Sequence, residues 1–211
     1  MCKTLQFIVE GWTENGLCEK FFKPYFISKN INFDFHLIKT KNPDNCDPAF
    51  RGGGITTLKL LENLGIVNNP NYIVSTFIDY YGYQKTEEEK DFTREQLENN
   101  LKNKINKDNF IPYIQQYEAE TLLFCDPQIT AKFLNGDEKE MQNILKDKKG
   151  NPEDINDGKE TAPSKRIKKI FKQYRKGNLD FANIVCEIGI EKIKSSCPHF
   201  KSWLNEIENK F

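Results

Sequence analysis

The sequence predicts an α/β protein, a mainly parallel sheet flanked by helices and followed by a helical C-terminal region. Over the first 120 residues, short apolar runs alternate with longer stretches of helical period, the pattern of a layered parallel sheet. The apolar runs are rich in β-branched and aromatic residues, as strands are. Residues 126–211 lack such runs and read as mainly helical.

Each element follows in order. Leu5–Val9 is an apolar run closed by Gly11 and reads as a buried strand. Residues 14–27 place Leu17, Phe21, Phe22 and Tyr25 at helical spacing, with Pro24 expected to bend or end that helix. Ile31–Ile38 alternates apolar and polar residues, the period of a half-buried strand. A Pro/Asn/Asp/Gly-rich loop covers residues 40–54, and Ile55–Leu64 reads as a helix with Leu58, Leu61 and Leu64 on one face. Tyr72–Ile78 is a strand ending on Asp79. The polar stretch TEEEKDFTREQLENNLKNKINK is a surface helix with Phe92, Leu97, Leu101 and Ile105 as its stripe. Phe110–Tyr117 is a further strand that runs into Glu118-Ala-Glu120. Residues 1–125 therefore form the α/β core, and residues 126–211 a helical extension packed on it as one compact unit.

Composition narrows the function. Lys+Arg and Asp+Glu both number 31, so no overall basic field draws the chain to nucleic acid or anionic lipid. Attraction of that kind must come from local clusters. No apolar run approaches the roughly 20 residues of a membrane span, and no secretory leader is expected at the N-terminus. A cytoplasmic protein without a membrane partner is the expectation. Six cysteines stand without a C-x-x-C pair, as reduced thiols do. Cys197-Pro198-His199 offers two zinc ligands, but the only other histidine is His36, which argues against a zinc site.

The chemistry-bearing pattern is a recurrence of acids at strand ends. Glu10, Asp79, and Glu118 with Glu120 each follow or end an apolar run. In a parallel sheet those ends share one edge, where open α/β sheets keep their ligands. Converging carboxylates resist full ionisation unless a cation neutralises them. Oxygen-only ligation suits Mg²⁺ or Mn²⁺, ions that work on phosphates. The plainer reading is that acids at strand ends simply leave the core for solvent.

A family comes into view at these residues. IVEGWTE resembles the first motif of Toprim domains, where a strand ends in an acid followed by glycine, and FIDYYG looks like a variant of the second. With IPYIQQYEAETLLF, INDGKETAPSKR and CPHFKSWL, the chain resembles almost end to end a bacterial family of unknown function with a Toprim-like, Rossmann-like core. Toprim-like domains carry out magnesium-dependent cutting, or cutting and joining, of nucleic-acid phosphodiesters. Relatives in the overcoming-lysogenization-defect nuclease group pair such a domain with an ABC-type ATPase. Genes of the resembled family often lie beside ATPases in mobile or antiphage islands. The resemblance implies Glu10 as general base or metal ligand, Asp79 and Glu14 as metal ligands, and Glu118 and Glu120 as completing the site. It implies Mg²⁺ or Mn²⁺ as cofactor, an ABC- or AAA-type ATPase as partner, and DNA or RNA as substrate. Two departures stand out. The standard second motif is Asp-x-Asp, whereas Asp79 is followed by Tyr80 and Tyr81, and Tyr117 stands where the glutamate motif often has His.

Basic residues supply a second feature. SKRIKKIFKQYRK (164–176) contains no acid. Ile167, Ile170, Phe171 and Tyr174 form a docking face, while Lys165, Lys168, Lys169, Lys172 and Lys176 gather opposite. Such a stripe suits a phosphate backbone, and it also suits a solvated surface helix. Thr161 or Ser164 is expected as its cap. Because INDGKETAPSKR matches the resembled family closely, Glu160, Lys165 and Arg166 are expected to reach the cleft, the cations offsetting phosphate charge. Arg51-Gly52-Gly53-Gly54 precedes a helix, where glycine amides can cradle an anion and Arg51 can touch phosphate. Thr56 and Thr57 are the expected caps there, and a flexible turn fits the same loop. The functional expectation is a Mg²⁺-dependent Toprim-like nuclease subunit working with an ATPase in bacterial antiphage defence. The alternatives are a non-catalytic binding or regulatory subunit and an enzyme acting on small phosphates.

Overall fold

A computed structural model describes residues 3–38, 54–156, 158–175 and 179–211. The expected α/β architecture is present. Strand β1 (Thr4–Val9) leads into α1 (Trp12–Leu17) and α2 (Lys23–Ser28), then β2 (Asn32–Leu37), α3 (Thr57–Asn63) and β3 (Tyr72–Asp79). Next come α4 (Arg94–Ile105), β4 (Phe110–Ile111) and β5 (Ile114–Gln115). The sheet order is β2-β1-β3-β4, with β5 also paired to β3, and every pairing is parallel. The C-terminal region carries α5 (Pro127–Phe133), α6 (Lys139–Asp147), α7 (Pro163–Ile170), α8 (Leu179–Ile188), α9 (Ile190–Ser196) and α10 (Pro198–Glu208).

Strand alternation divides the interior into two cores. Leu5, Phe7 and Val9 of β1 and Ile73 and Phe77 of β3 share one face with α1, α2 and the C-terminal helices. Ile8, Val74 and Ile78 point the other way, against Leu60 of α3 and Leu97 and Leu101 of α4. The first core contains Leu17, Phe22 and Phe26 together with Phe200, Trp203 and Leu204. Residues before and after position 125 thus bury one apolar surface in common.

Several elements differ from expectation, each for a local reason. Pro24 does not end its helix, because α2 continues through it to Ser28. The chain passes from α1 to α2 through a π turn over Cys18–Phe22. Proline has no N–H for the Lys20 carbonyl, and the Cys186 thiol donates to that oxygen instead at 3.2 Å. The strand expected over Phe110–Tyr117 is two short strands separated at Pro112 and Tyr113. The Thr76 hydroxyl accepts from the Tyr113 N–H at 2.8 Å and donates to the Tyr113 carbonyl at 2.9 Å, so a side chain replaces the missing rungs.

The polar surface helix begins only at Arg94, where Thr93 and Gln96 form a capping box. In α3 the buried residues are Thr57 and Leu60, followed by Leu64 just past the helix, while Leu58 is 65% exposed. Thr56 caps α3 by accepting from the Lys59 N–H at 3.2 Å, but Thr57 turns inward to bond Tyr83 and Glu89.

The basic helix is shorter than its sequence period, because α7 ends at Ile170 and Phe171 is extended. Its docking residues Ile167, Phe171 and Tyr174 are nonetheless buried. Phe171 lies over Gly136 so closely that a Cβ there would stand 2.4 Å from the ring. Gly136→Ala must therefore push a buried ring out of place. It is expected to lower the unfolding free energy by about 1–3 kcal/mol, read from denaturant unfolding of the full chain.

Candidate functional site

The chain leaves β1 in one direction, to β2, and later crosses to β3 on the opposite side of β1. Strand order therefore reverses between β1 and β3, and the crevice beyond their carboxyl ends is the standard ligand position of an open parallel sheet. Glu10 is the first residue past β1, and Asp79 is the last residue of β3. Gln115 of β5 pairs with Asp79, and Glu118 follows three residues later. The parallel topology thus brings the predicted strand-end acids to one edge.

Each of them makes contacts of its own along that edge. Asp79 continues the alternation of Ser75 and Phe77 and faces the C-terminal helices. Its Oδ1 accepts from the Ala119 N–H at 2.8 Å, which joins the end of β3 to the 3-10 segment Ala119–Cys125. Glu120 in that segment is fully buried and accepts from the Tyr174 hydroxyl at 3.2 Å. Burial, then the charges of Glu120, Glu118 and Asp79, hold the Tyr174 hydroxyl far above its ordinary pKa. Tyr174, which the sequence marked only as a docking residue, therefore sits among three of the acids.

Glu10 reaches the turn that follows β3, with its Oε2 2.8 Å from where a Cβ on Gly82 would be. Glycine at 82 is what lets the carboxylate approach the chain so closely. Glu14 is buried in the first turn of α1, where a negative charge suits the helix dipole. It stands beside Cys18, whose thiol is pushed well up in pKa by burial and then by Glu14 and Glu19.

Glu118 links the edge to the basic helix. Its Oε2 accepts from the Ser164 N–H at 2.9 Å, satisfying an amide in the first turn of α7. Neither Thr161 nor Ser164 caps that helix through its side chain, because Ala162 holds the cap position and Pro163 the first turn. Lys165 follows Ser164 and is exposed, whereas Arg166 Nε donates back to the Thr161 carbonyl at 2.8 Å. Glu160, Lys168, Lys169 and Lys172 are exposed, with Lys172 past the helix end. Arg51 and Lys176 lie outside the described residues.

An aromatic group borders the same edge. Tyr80 and Tyr81 follow Asp79, and Tyr117 precedes Glu118. The Tyr81 and Tyr117 ring centroids are 5.4 Å apart, and the Tyr81 N–H donates to the Tyr117 carbonyl at 3.0 Å. The Tyr81 hydroxyl is raised in pKa by partial burial and then by Tyr117 and Glu118. Tyr81 and Tyr117 are thus packed against each other.

Among the described residues, no three His, Cys, Asp or Glu side chains stand grouped to hold a metal ion. The donor chemistry still fits Mg²⁺, which is usually held by one or two carboxylates together with waters and substrate phosphates rather than by an all-protein cage.

Fold and site together define an open parallel α/β protein with acidic residues at the strand ends where strand order reverses. The chain belongs to the family described as Domain of unknown function (DUF4276), whose model matches residues 9–208. No curated protein and no solved structure matches it. Among the described residues, no helix is long and apolar enough to cross a membrane.

Since the Glu10 carboxylate is the flexible end of a side chain, Gly82→Ala is expected to displace it rather than unfold the protein. The unfolding free energy should change by about 1 kcal/mol or less. A crystal structure of the variant should show the carboxylate moved.

Proposed function

We propose that the chain is a Toprim-like, Mg²⁺-dependent nuclease subunit that cuts nucleic-acid phosphodiesters, working with an ABC- or AAA-type ATPase in cytoplasmic antiphage defence. One observation carries the reading. Buried acids from the ends of β1 and β3 and from the segment after β5 share the switch-point edge, and the Glu118–Ser164 bond brings the lysine-bearing helix to it. Acids beside cations are what phosphodiester cleavage needs, one set to manage water and the other to face phosphate.

Glu10, Glu14, Asp79, Glu118 and Glu120 are the oxygen donors from which Mg²⁺ or Mn²⁺ would take its protein ligands. When bound, such an ion polarises a phosphate oxygen and lowers the pKa of water. Glu10, with its carboxylate at the lip formed by Gly82, takes the proton from the attacking water. Asp79, fixed by the Ala119 amide, orients groups at the end of β3. Lys165 offsets charge building on the phosphate, and Lys168, Lys169 and Lys172 lead the backbone toward the crevice without reading bases. Arg166, anchored on Thr161, acts through the shape of the turn before α7.

Purified chain, alone and with its partner ATPase, is expected to cut DNA or RNA in Mg²⁺ or Mn²⁺. Glu10→Gln and Asp79→Asn should each lower cutting by about 10²-fold or more while leaving thermal unfolding cooperative. Unchanged cutting in both variants removes these residues from the site, and no cutting under any condition defeats the reading.

A second reading, a non-catalytic regulatory subunit that keeps the fold, draws support from Tyr81 in place of a second acid and from Asp79 Oδ1 already serving the Ala119 amide. Calorimetric titration with millimolar Mn²⁺ separates the two. Heat that disappears in Asp79→Asn supports the nuclease, and no heat supports the regulatory subunit.

A further inference from the structure

We propose that the exposed ring of Tyr81, held against Tyr117 at 5.4 Å and 46°, is a stacking platform for unpaired bases, so that the polymer drawn to the acidic edge is single-stranded nucleic acid. The inference rests on the nuclease reading and names its substrate class.

Tyr81 is 43% exposed although it sits two residues past a buried strand end. Its neighbour Tyr80 is committed to the protein. The Tyr80 hydroxyl donates to the Phe92 carbonyl at 2.9 Å and accepts from Lys85 Nζ at 2.7 Å, and the same ammonium lies 4.6 Å from the Tyr80 ring centre. Tyr81 instead keeps part of a large ring at the surface, a flat apolar face with a polar tip that a base can cover.

Tyr117 carries the second observation. Its φ of +64° is a left-handed conformation that bulky side chains rarely adopt. The strained turn is held by the Glu118 N–H on the Gln116 carbonyl at 3.0 Å and by the Thr121 hydroxyl on the same oxygen at 3.2 Å. Strain maintained in this way concentrates at functional sites. Here the left-handed turn stands beside the Tyr81 ring, its carbonyl bonded to the Tyr81 N–H.

The platform is continuous with groups that handle phosphate. Tyr117 adjoins Glu118, Glu118 holds the Ser164 amide, and Lys165 is next along the chain. A strand with one base on the rings can therefore lay its backbone toward Lys165 and Lys168. The chain's basic and acidic residues balance at 31 each, so long-range charge contributes little to binding. Stacking supplies affinity that charge does not, and it is open to any base because every base has a flat face. In a duplex those faces are already stacked on one another, which makes the unpaired strand the fitting partner.

The test is binding in EDTA, so that no cleavage intervenes. Fluorescence anisotropy of the full chain is measured with a labelled single strand, the same strand in duplex, and an abasic strand of equal length and charge. The base-bearing single strand should bind about tenfold or more tightly than the abasic strand and the duplex. Tyr81→Ala should remove that advantage and leave abasic binding unchanged, and Tyr81→Phe should restore it, with circular dichroism confirming the fold. Equal binding of base-bearing and abasic strands, tighter binding of duplex, full affinity in Tyr81→Ala, or no binding to any strand overturns the platform. Cutting in Mg²⁺ that depends on Glu10 but accompanies base-independent binding would overturn the platform alone and leave the nuclease reading standing.

Discussion

Strand β3 is the constraint on which the rest of the molecule depends. It pairs with β1, β4 and β5, and its polar side chains make the connections that the ladders leave open. The Ser75 hydroxyl accepts from the Trp203 indole N–H at 2.8 Å and donates to the Ile111 carbonyl at 2.6 Å. Thr76 bridges the break at Tyr113, and Asp79 fixes the Ala119 amide. Serine, threonine and aspartate in a buried strand would cost stability if left without partners. Here each joins β3 to a different part of the fold, so the polar groups specify the arrangement as well as tolerate burial.

That constraint explains why the C-terminal region belongs to the site. Trp203 anchors α10 on β3 from the same face that Asp79 points into. The face then delivers Tyr174 to Glu120 and the start of α7 to Glu118. Gly136 allows the Phe171 ring to close over it, which places Tyr174 three residues further on. An α/β core without these helices would present its carboxylates to water. With them, Asp79 and Glu120 are buried, and their interactions strengthen as the local dielectric falls.

Much of this was legible in the sequence, because apolar runs and their period reflect burial directly. Leu5–Val9 and Tyr72–Ile78 are β-branched and aromatic, bounded by acids and glycine, and both are central strands. The acids at their ends could be placed on one edge from topology alone. What the sequence did not disclose depends on contacts distant along the chain. The Phe110–Tyr117 run carries one strand signal, but Pro112 divides it, and only Thr76 from another strand makes the division tolerable. The SKRIKKIFKQYRK period continues past Ile170, yet Phe171 leaves the helix to pack on Gly136. Tyr174 read as an apolar anchor, and only the neighbouring Glu120 reveals its hydroxyl as part of the acidic edge.

Tyr81 and Tyr117 have a common physical consequence at the strand-end edge. A second aspartate at position 81 would add a carboxylate to an edge already holding Asp79, Glu118 and Glu120, and would raise their mutual repulsion. Tyrosine removes that repulsion and substitutes an apolar face with a polar tip. Tyr117, at the turn before Glu118, adds a second ring where a histidine would have added a titratable group. Charge at the edge is thus lower and aromatic surface greater than a complete acidic motif would give. Glu10 supplies the first acid of that edge, and Gly82, three residues past Asp79, is what lets its carboxylate come so close to the chain.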